Sequence, residues 1–147
     1  MPPQFQLRIA TLEKLVFDGE VHSVTLPGAG GELTVLANHA PLITPLTLGE
    51  ITVRKDGDEF SLAVSSGMVE VQPRRVLVLA DQAERAEEID ERLAEEARER
   101  AEALMKEKRE DTESFAAAEV ELQRALLRIN VARKHKSRKN ITSPASF

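Results

Sequence analysis

The hydrophobic period of this chain changes once, from two to about 3.6 near Glu84, and that change limits the fold more than any other feature. Before it, Phe5, Leu7 and Ile9 alternate with polar neighbours, as a half-buried strand requires. Val21-His22-Ser23-Val24-Thr25-Leu26 runs into Pro27-Gly28-Ala29-Gly30-Gly31, and Leu33-Thr34-Val35-Leu36 returns from it. Ile51-Thr52-Val53 and Phe60-Ser61-Leu62-Ala63-Val64 flank Asp56-Gly57-Asp58, a strong hairpin signal. Met68-Val69-Glu70-Val71 and Val76-Leu77-Val78-Leu79 flank Gln72-Pro73-Arg74-Arg75 in the same way. Turns at about eight- to twelve-residue spacing predict an all-β sandwich or barrel rather than a parallel sheet.

After Glu84 the pattern is helical. Ile89, Leu93, Ala97, Ala101, Leu104 and Met105 fall within one face. Phe115, Ala118, Leu122, Ala125, Ile129 and Ala132 follow alternating steps of three and four, a heptad-like stripe. Asp111-Thr112 supplies cap residues between the segments, and Glu113 suits a helix's first turn. Two helices of roughly twenty residues with a short connection predict an antiparallel hairpin. Its alanine-rich stripes bury little area, so the hairpin is expected to be weakly held and able to open. The division expected is residues 1–83 as sandwich, 84–136 as hairpin and 137–147 as a flexible tail.

Composition removes several classes of function. The chain has no cysteine, which excludes a disulfide scaffold, a thiolate nucleophile and Cys-based metal sites. His22, His39 and His135 share no ligand spacing. Five Phe with no Trp or Tyr weaken any base-stacking reading. No apolar run approaches the roughly 18 residues of a membrane span, and the first residues lack a signal-peptide pattern. A cytoplasmic chain is the expectation. Charge is divided unevenly: residues 1–83 carry 6 basic and 10 acidic side chains, 84–113 carry 7 and 13, and 114–147 carry 7 and 2. Such segregation of sign suits separable units. The acidic first helix would repel phosphates and no basic region precedes the heptad stripe, so a nucleic-acid zipper is not expected.

Few motifs suggest chemistry. Gly28-Ala29-Gly30-Gly31 lacks the Lys-Ser/Thr of a phosphate loop and leads into a strand, so it fits a hairpin turn. His39, in Asn38-His39-Ala40-Pro41, has no nucleophile motif beside it and reads as hydrogen-bonded loop structure. Asn140-Ile141-Thr142 matches a glycosylation sequon, a coincidence in a cytoplasmic chain. Most first-helix carboxylates fit a solvated face, whereas Asp90 projects within the apolar stripe, where a helix cap fits better than a ligand role. Arg124 and Arg128, four apart, are either solvated arginines or a paired guanidinium site for phosphate or an acidic surface; the residues alone leave both readings open.

In their order, these segments resemble the epsilon subunit of bacterial-type F-type ATP synthase, from Phe5 to about Lys136. The most specific stretch is Gly31-Glu32-Leu33-Thr34-Val35-Leu36-Ala37-Asn38-His39-Ala40-Pro41-Leu42-Ile43-Thr44. Phe17-Asp18-Gly19-Glu20, Ser66-Gly67 with Val69-Glu70-Val71, and Val76-Leu77-Val78-Leu79-Ala80-Asp81 before Ala83-Glu84-Arg85-Ala86 support it. The resemblance implies a ten-stranded sandwich followed by a helical hairpin. It implies a non-catalytic rotor subunit whose sandwich clamps the gamma subunit and rests on the c-ring, at the cytoplasmic side of the bacterial plasma membrane. Glu32 would lie near the c-ring and His39 near gamma. The hairpin would extend into the alpha/beta ring and inhibit ATP hydrolysis, with Arg124, Arg128, Lys134 and Lys136 meeting acidic beta-subunit segments.

Some members of that family also bind ATP, and Glu84, Ile89, Asp90, Arg124 and Arg128 match their ligand positions. Here Leu93 stands where those members carry Arg, and Arg92 comes one position early. A leucine cannot donate to phosphate, so no cofactor is expected to be required and a regulatory ATP is disfavoured. Competing expectations are a stand-alone ATP-sensing module and a helical-hairpin adaptor, both without gamma.

Overall fold

A computed structural model describes residues 2–142, with side chains through residue 139. Ten strands come first: β1 (Phe5–Ala10), β2 (Leu15–Val21), β3 (Ser23–Gly28), β4 (Gly31–Leu36), β5 (Leu42–Leu46), β6 (Gly49–Lys55), β7 (Asp58–Val64), β8 (Gly67–Gln72), β9 (Arg75–Ala80) and β10 (Ala83–Arg85). A 3-10 turn, Ala86–Glu88, leads to helices α1 (Glu91–Glu107) and α2 (Thr112–Thr142). The chain divides into two compact units at Arg85/Ala86.

In the strand unit, β4, β3, β6, β7 and β10 form one run of paired strands, and β5, β8, β9, β1 and β2 form another. The two runs join through a single pair, Gly28 with Leu46. Side chains from both enter one core, where Leu7, Ile9, Leu26, Ile51 and Leu62 are fully buried. That is the expected sandwich. Its ladders among the described residues are antiparallel except β1 with β9, which run parallel. Phe17 and Phe60 meet at 5.2 Å between centroids, and the Arg85 guanidinium lies 4.8 Å over the Phe60 ring.

The turns follow local backbone chemistry. Lys55 pairs with Asp58, so Asp56-Gly57 is a two-residue hairpin. Both turn residues have positive φ, 49° and 81°, the combination that matches strand twist. Gly67 is required for another reason. A Cβ there would lie 2.1 Å from the Leu79 carbonyl oxygen and 2.8 Å from the Ala80 Cα, both backbone atoms of β9.

In the helical unit, Asp90 caps α1 by accepting from the Leu93 N–H at 3.2 Å. Asp111 does the same for α2, taking the Ser114 N–H at 3.3 Å and the Ser114 hydroxyl at 2.9 Å. Those hydrogen bonds from Ser114 hold the Asp111 carboxyl below its ordinary value. The α2 stripe is as expected, with Ala118, Ala125, Ile129 and Ala132 buried and Phe115 and Leu122 half-buried.

Three expectations are corrected. Glu84 and Arg85, expected in the helical unit, instead continue strand β10 from Ala83, because they pair with the edge of β7. In α1, Ala101 is buried and Ala97 and Met105 are half-buried as expected, but Ala94 is buried in place of its neighbour Leu93, and Leu93 and Leu104 are exposed. Small residues at a helix seam permit close approach, which leaves the larger leucines at its margins. The helix also continues through Lys136 to Thr142, so residues 137–142 are not an irregular tail. Residues 143–147 lie outside the described residues, as do the side chains of the Asn140-Ile141-Thr142 sequon.

Candidate functional site

The outward face of β5, β8, β9, β1 and β2 is graded from apolar to polar by strand register. Pro45 pairs with Met68, Met68 with Leu79, Leu79 with Ala10, and Ala10 with Leu15. These five residues form one row across five strands. Met68, Leu79 and Leu15 remain 45%, 50% and 55% exposed. Leu12, in the β1–β2 connection beside the row, is fully exposed. A β-bulge at Val16 brings Leu15 opposite Ala10, where a regular register would have placed Val16. The next row, Ile43, Glu70, Leu77, Arg8 and Asp18, is mixed, and the third, Gln72, Arg75, Gln6 and Glu20, is polar.

The polar part satisfies itself. Arg8 and Gln6 both donate to Asp18, at 3.2 and 2.5 Å. Gln72 donates to Glu70 at 2.8 Å and accepts from Arg75 at 3.0 Å. The apolar row has no such compensation, and an exposed cluster of large apolar residues rimmed by satisfied polar groups is built for docking.

Glu32 is exposed in β4, paired with Pro27 one step from the Ala29-Gly30 turn. His39 is half-buried and its Nδ1 donates to the Ala40 carbonyl at 2.8 Å, the expected structural role for a loop histidine. Asn38 before it has φ 66° and donates its N–H to the Pro73 carbonyl at 2.7 Å, anchoring the loop to the β8–β9 turn.

The five residues of the nucleotide reading are divided between the units: Glu84 in β10, and Ile89, Asp90, Arg124 and Arg128 in the helical one. Ile89 is half-buried just before α1. Asp90 uses Oδ1 to cap the helix, the reading preferred from its sequence position. Arg124 pairs with Glu121 at 3.1 Å on its own helix. Arg124 and Arg128 are both half-buried rather than fully outward.

Lys134 and Lys136 are both exposed, but Lys136 also has a partner on α1. Its Nζ donates to Glu91 of α1 at 2.7 Å. Position 136 lies one turn beyond Ala132, so its side chain flanks the buried stripe. Arg133, which no motif singled out, donates to Glu91 at 2.7 Å and Glu95 at 2.9 Å. Hydrogen bonds from Lys136, then Arg133, hold the Glu91 carboxyl below its ordinary value. The visible signal for this was the net acidity of residues 84–113 against the net basicity of 114–147 in an antiparallel pair.

Among the described residues, no group of three or more His, Asp or Glu is placed to hold a metal ion, and no helix is long and apolar enough to cross a membrane. Comparison with known proteins agrees with the two units. Residues 4–86 match the model of the ATP synthase delta/epsilon chain beta-sandwich domain, and residues 87–133 that of its long alpha-helix domain. The ATP synthase epsilon chain of Dehalococcoides mccartyi is 46% identical over 133 residues, covering 90% of this chain and 95% of the relative. That of Herpetosiphon aurantiacus is 45% identical over 133 residues, covering 90% and 97%. A chain of the Euglena gracilis mitochondrial ATP synthase, resolved with its c-ring, superposes with a TM-score of 0.73 at 25% identity, covering 84% of this chain and 78% of that one. The chain therefore belongs to the ATP synthase delta/epsilon chain family, and the relatives it matches carry the epsilon name.

Proposed function

We propose that this subunit works in the central stalk of a proton-transporting ATP synthase, its sandwich docking on gamma through the Pro45–Met68–Leu79–Ala10–Leu15 row. The observation that carries this reading is the row itself. It offers five registered, partly exposed apolar residues on rigid strands beside polar groups already satisfied. A rotor contact must transmit torque without chemistry, and burial of a preformed apolar surface suits that work. Glu32, at a hairpin tip, is assigned to the polar loops of the c-ring, and the His39 loop to gamma. The subunit is then peripheral at the cytoplasmic side of the bacterial plasma membrane, touching the membrane only through the complex.

The helical unit is the regulatory part in this reading, opening and inserting its basic α2 into the alpha/beta ring to slow ATP hydrolysis. Its seam is mostly alanine, which favours reversible opening over permanent packing. Nucleotide is not required. Asp90 and Arg124 already have partners, and Leu93 offers no side-chain donor. Pull-down with gamma, followed by ATPase assays of the assembled complex with and without residues 86–147, tests the whole reading. Capture by gamma together with faster hydrolysis on truncation is expected. Failure of the full chain to bind gamma would favour the adaptor or free-standing sensor instead.

A further inference from the structure

The helical unit contains a charge network with more order than a solvated surface needs. Glu91 uses both carboxylate oxygens, Oε1 toward Arg133 Nε and Oε2 toward Lys136 Nζ, each at 2.7 Å. Arg133 forks, its Nη2 reaching Glu95 Oε1 at 2.9 Å, one turn along α1. The other oxygen of Glu95 accepts from Arg98 Nε at 2.9 Å, and Arg98 Nη1 continues to Glu102 at 3.0 Å. Six side chains are thus linked, and the cross-helix bonds all lie at the end of the hairpin away from its covalent connection at Lys108–Asp111. The Glu91 and Glu95 side chains are only 24% and 32% exposed, whereas Arg133 and Lys136 are above 60%.

Position decides what such a network does. The connected end of the hairpin cannot separate, and the half-buried Phe115, Leu122 and Met105 pack near it. The open end buries Ala94, Ile129, Val131 and Ala132, two of them alanines that each contribute little, so the ion pairs add to a modest apolar seam there. Isolated exposed ion pairs contribute little, but linked pairs with forked arginine geometry are the exception. Arg133 and Lys136 also belong to the strongly basic segment of the chain, residues 114–147. While the hairpin is closed, two α1 carboxylates occupy them.

We propose that Glu91 and Glu95 act as an internal stand-in for an acidic protein surface. They latch the open end of the hairpin and withhold Arg133 and Lys136 from an acidic partner until it opens. The masking half of this inference rests on the reading above that α2 meets an acidic partner; the latch itself concerns this chain alone. Latch and partner compete for the same two cations, so the carboxylates and the bases must affect inhibition in opposite directions.

That opposition is the test. The chain has no cysteine, so Arg92→Cys with Ser137→Cys takes a pair of spin labels at two exposed positions in the full-length protein. At 50 mM NaCl the parent should show one short-distance population that yields to longer distances at 1 M, where screening shortens to roughly 3 Å. Glu91→Gln with Glu95→Gln should raise the long-distance fraction at least threefold at low salt and lose most of the salt response. Arg133→Gln with Lys136→Gln should open the hairpin equally. In the assembled ATPase the first pair should strengthen inhibition about threefold and the second should weaken it. An unchanged distance distribution in the carboxylate variant overturns the latch. Shifts of inhibition in the same direction overturn the masking. Loss of gamma binding by the parent would instead defeat the functional reading, with the distance measurement still deciding the latch.

Discussion

Removing the two central side chains of the apolar row should weaken gamma binding without unfolding the sandwich. Met68 and Leu79 face each other across β8 and β9 and are 45% and 50% exposed in the free chain. Full burial of such a side chain stabilises by about 1.5–3 kcal/mol, so the half still exposed contributes about 0.7–1.5 kcal/mol on docking. Met68→Ala with Leu79→Ala should therefore cost about 2 kcal/mol of binding, or about 30-fold in Kd. The two residues are direct cross-strand partners, so the double variant should depart from the sum of the singles by about 0.5 kcal/mol or more. Titration calorimetry with gamma measures this, and thermal unfolding of the free variant checks that the sandwich persists. Gln6→Ala with Gln72→Ala, in the self-satisfied polar row, is the control and should change Kd by less than about threefold. A double variant within threefold of the parent, or a control as damaging as the variant, would refute the argument that the apolar row carries docking.

Three further outcomes are expected. Gly67→Ala should destabilise the sandwich by about 2–3 kcal/mol, since its Cβ would sit 2.1 Å from the Leu79 carbonyl oxygen; a fall in melting temperature of roughly 10 °C or more is the readout. The helical unit should loosen as pH falls. Glu91, facing Arg133 and Lys136 from α2 with Glu95 on its own helix, has a lowered folded pKa, so its contribution is present above the unfolded value near pH 4.3 and is lost as pH falls through the folded one. Asp111, lowered by Ser114, acts in the same direction, and hydrogen exchange of α1 and α2 between about pH 6 and 3 would expose an error of sign if protection rose on acidification. Finally, Leu93→Arg should tighten ATP binding by at least ~1.5 kcal/mol, about tenfold, because it adds a charged donor in the first turn of α1; calorimetry showing tight binding by the unaltered chain, or no gain, would count against this.

Much of the fold was legible because local chemistry and tertiary structure agreed. Asp56-Gly57 and Pro73-Arg74 lie in the turns where their residue types direct the chain, and the alternation of β1 and β9 matches their burial. Three strands carried no individual signal. In β2 the bulge at Val16 breaks the alternation, and in β5 Leu42, Ile43 and Pro45 are exposed, so their apolar pattern reports an outward face rather than the core. In β10 Ala-Glu-Arg has helix formers, and pairing with β7 overrides that preference. Leu93 and Leu104 were placed in the α1 seam because leucine outweighs alanine on any hydrophobicity count, whereas a close helix seam selects for small size, as at Ala94 and Ala101. Arg133 was missed because each helix was read alone; its partners, Glu91 and Glu95, lie some forty residues away. The docking row is a product of register across five strands, which no linear pattern displays.

Hydrogen exchange of the full chain with and without gamma tests the central claim most directly. The account predicts a stable complex in which protection rises across Ile43–Leu46, Met68–Glu70, Leu77–Leu79 and Ala10–Leu15. A complex that protects only the β4–β3–β6–β7–β10 side or the helices, leaving the row as accessible as in the free chain, would contradict it.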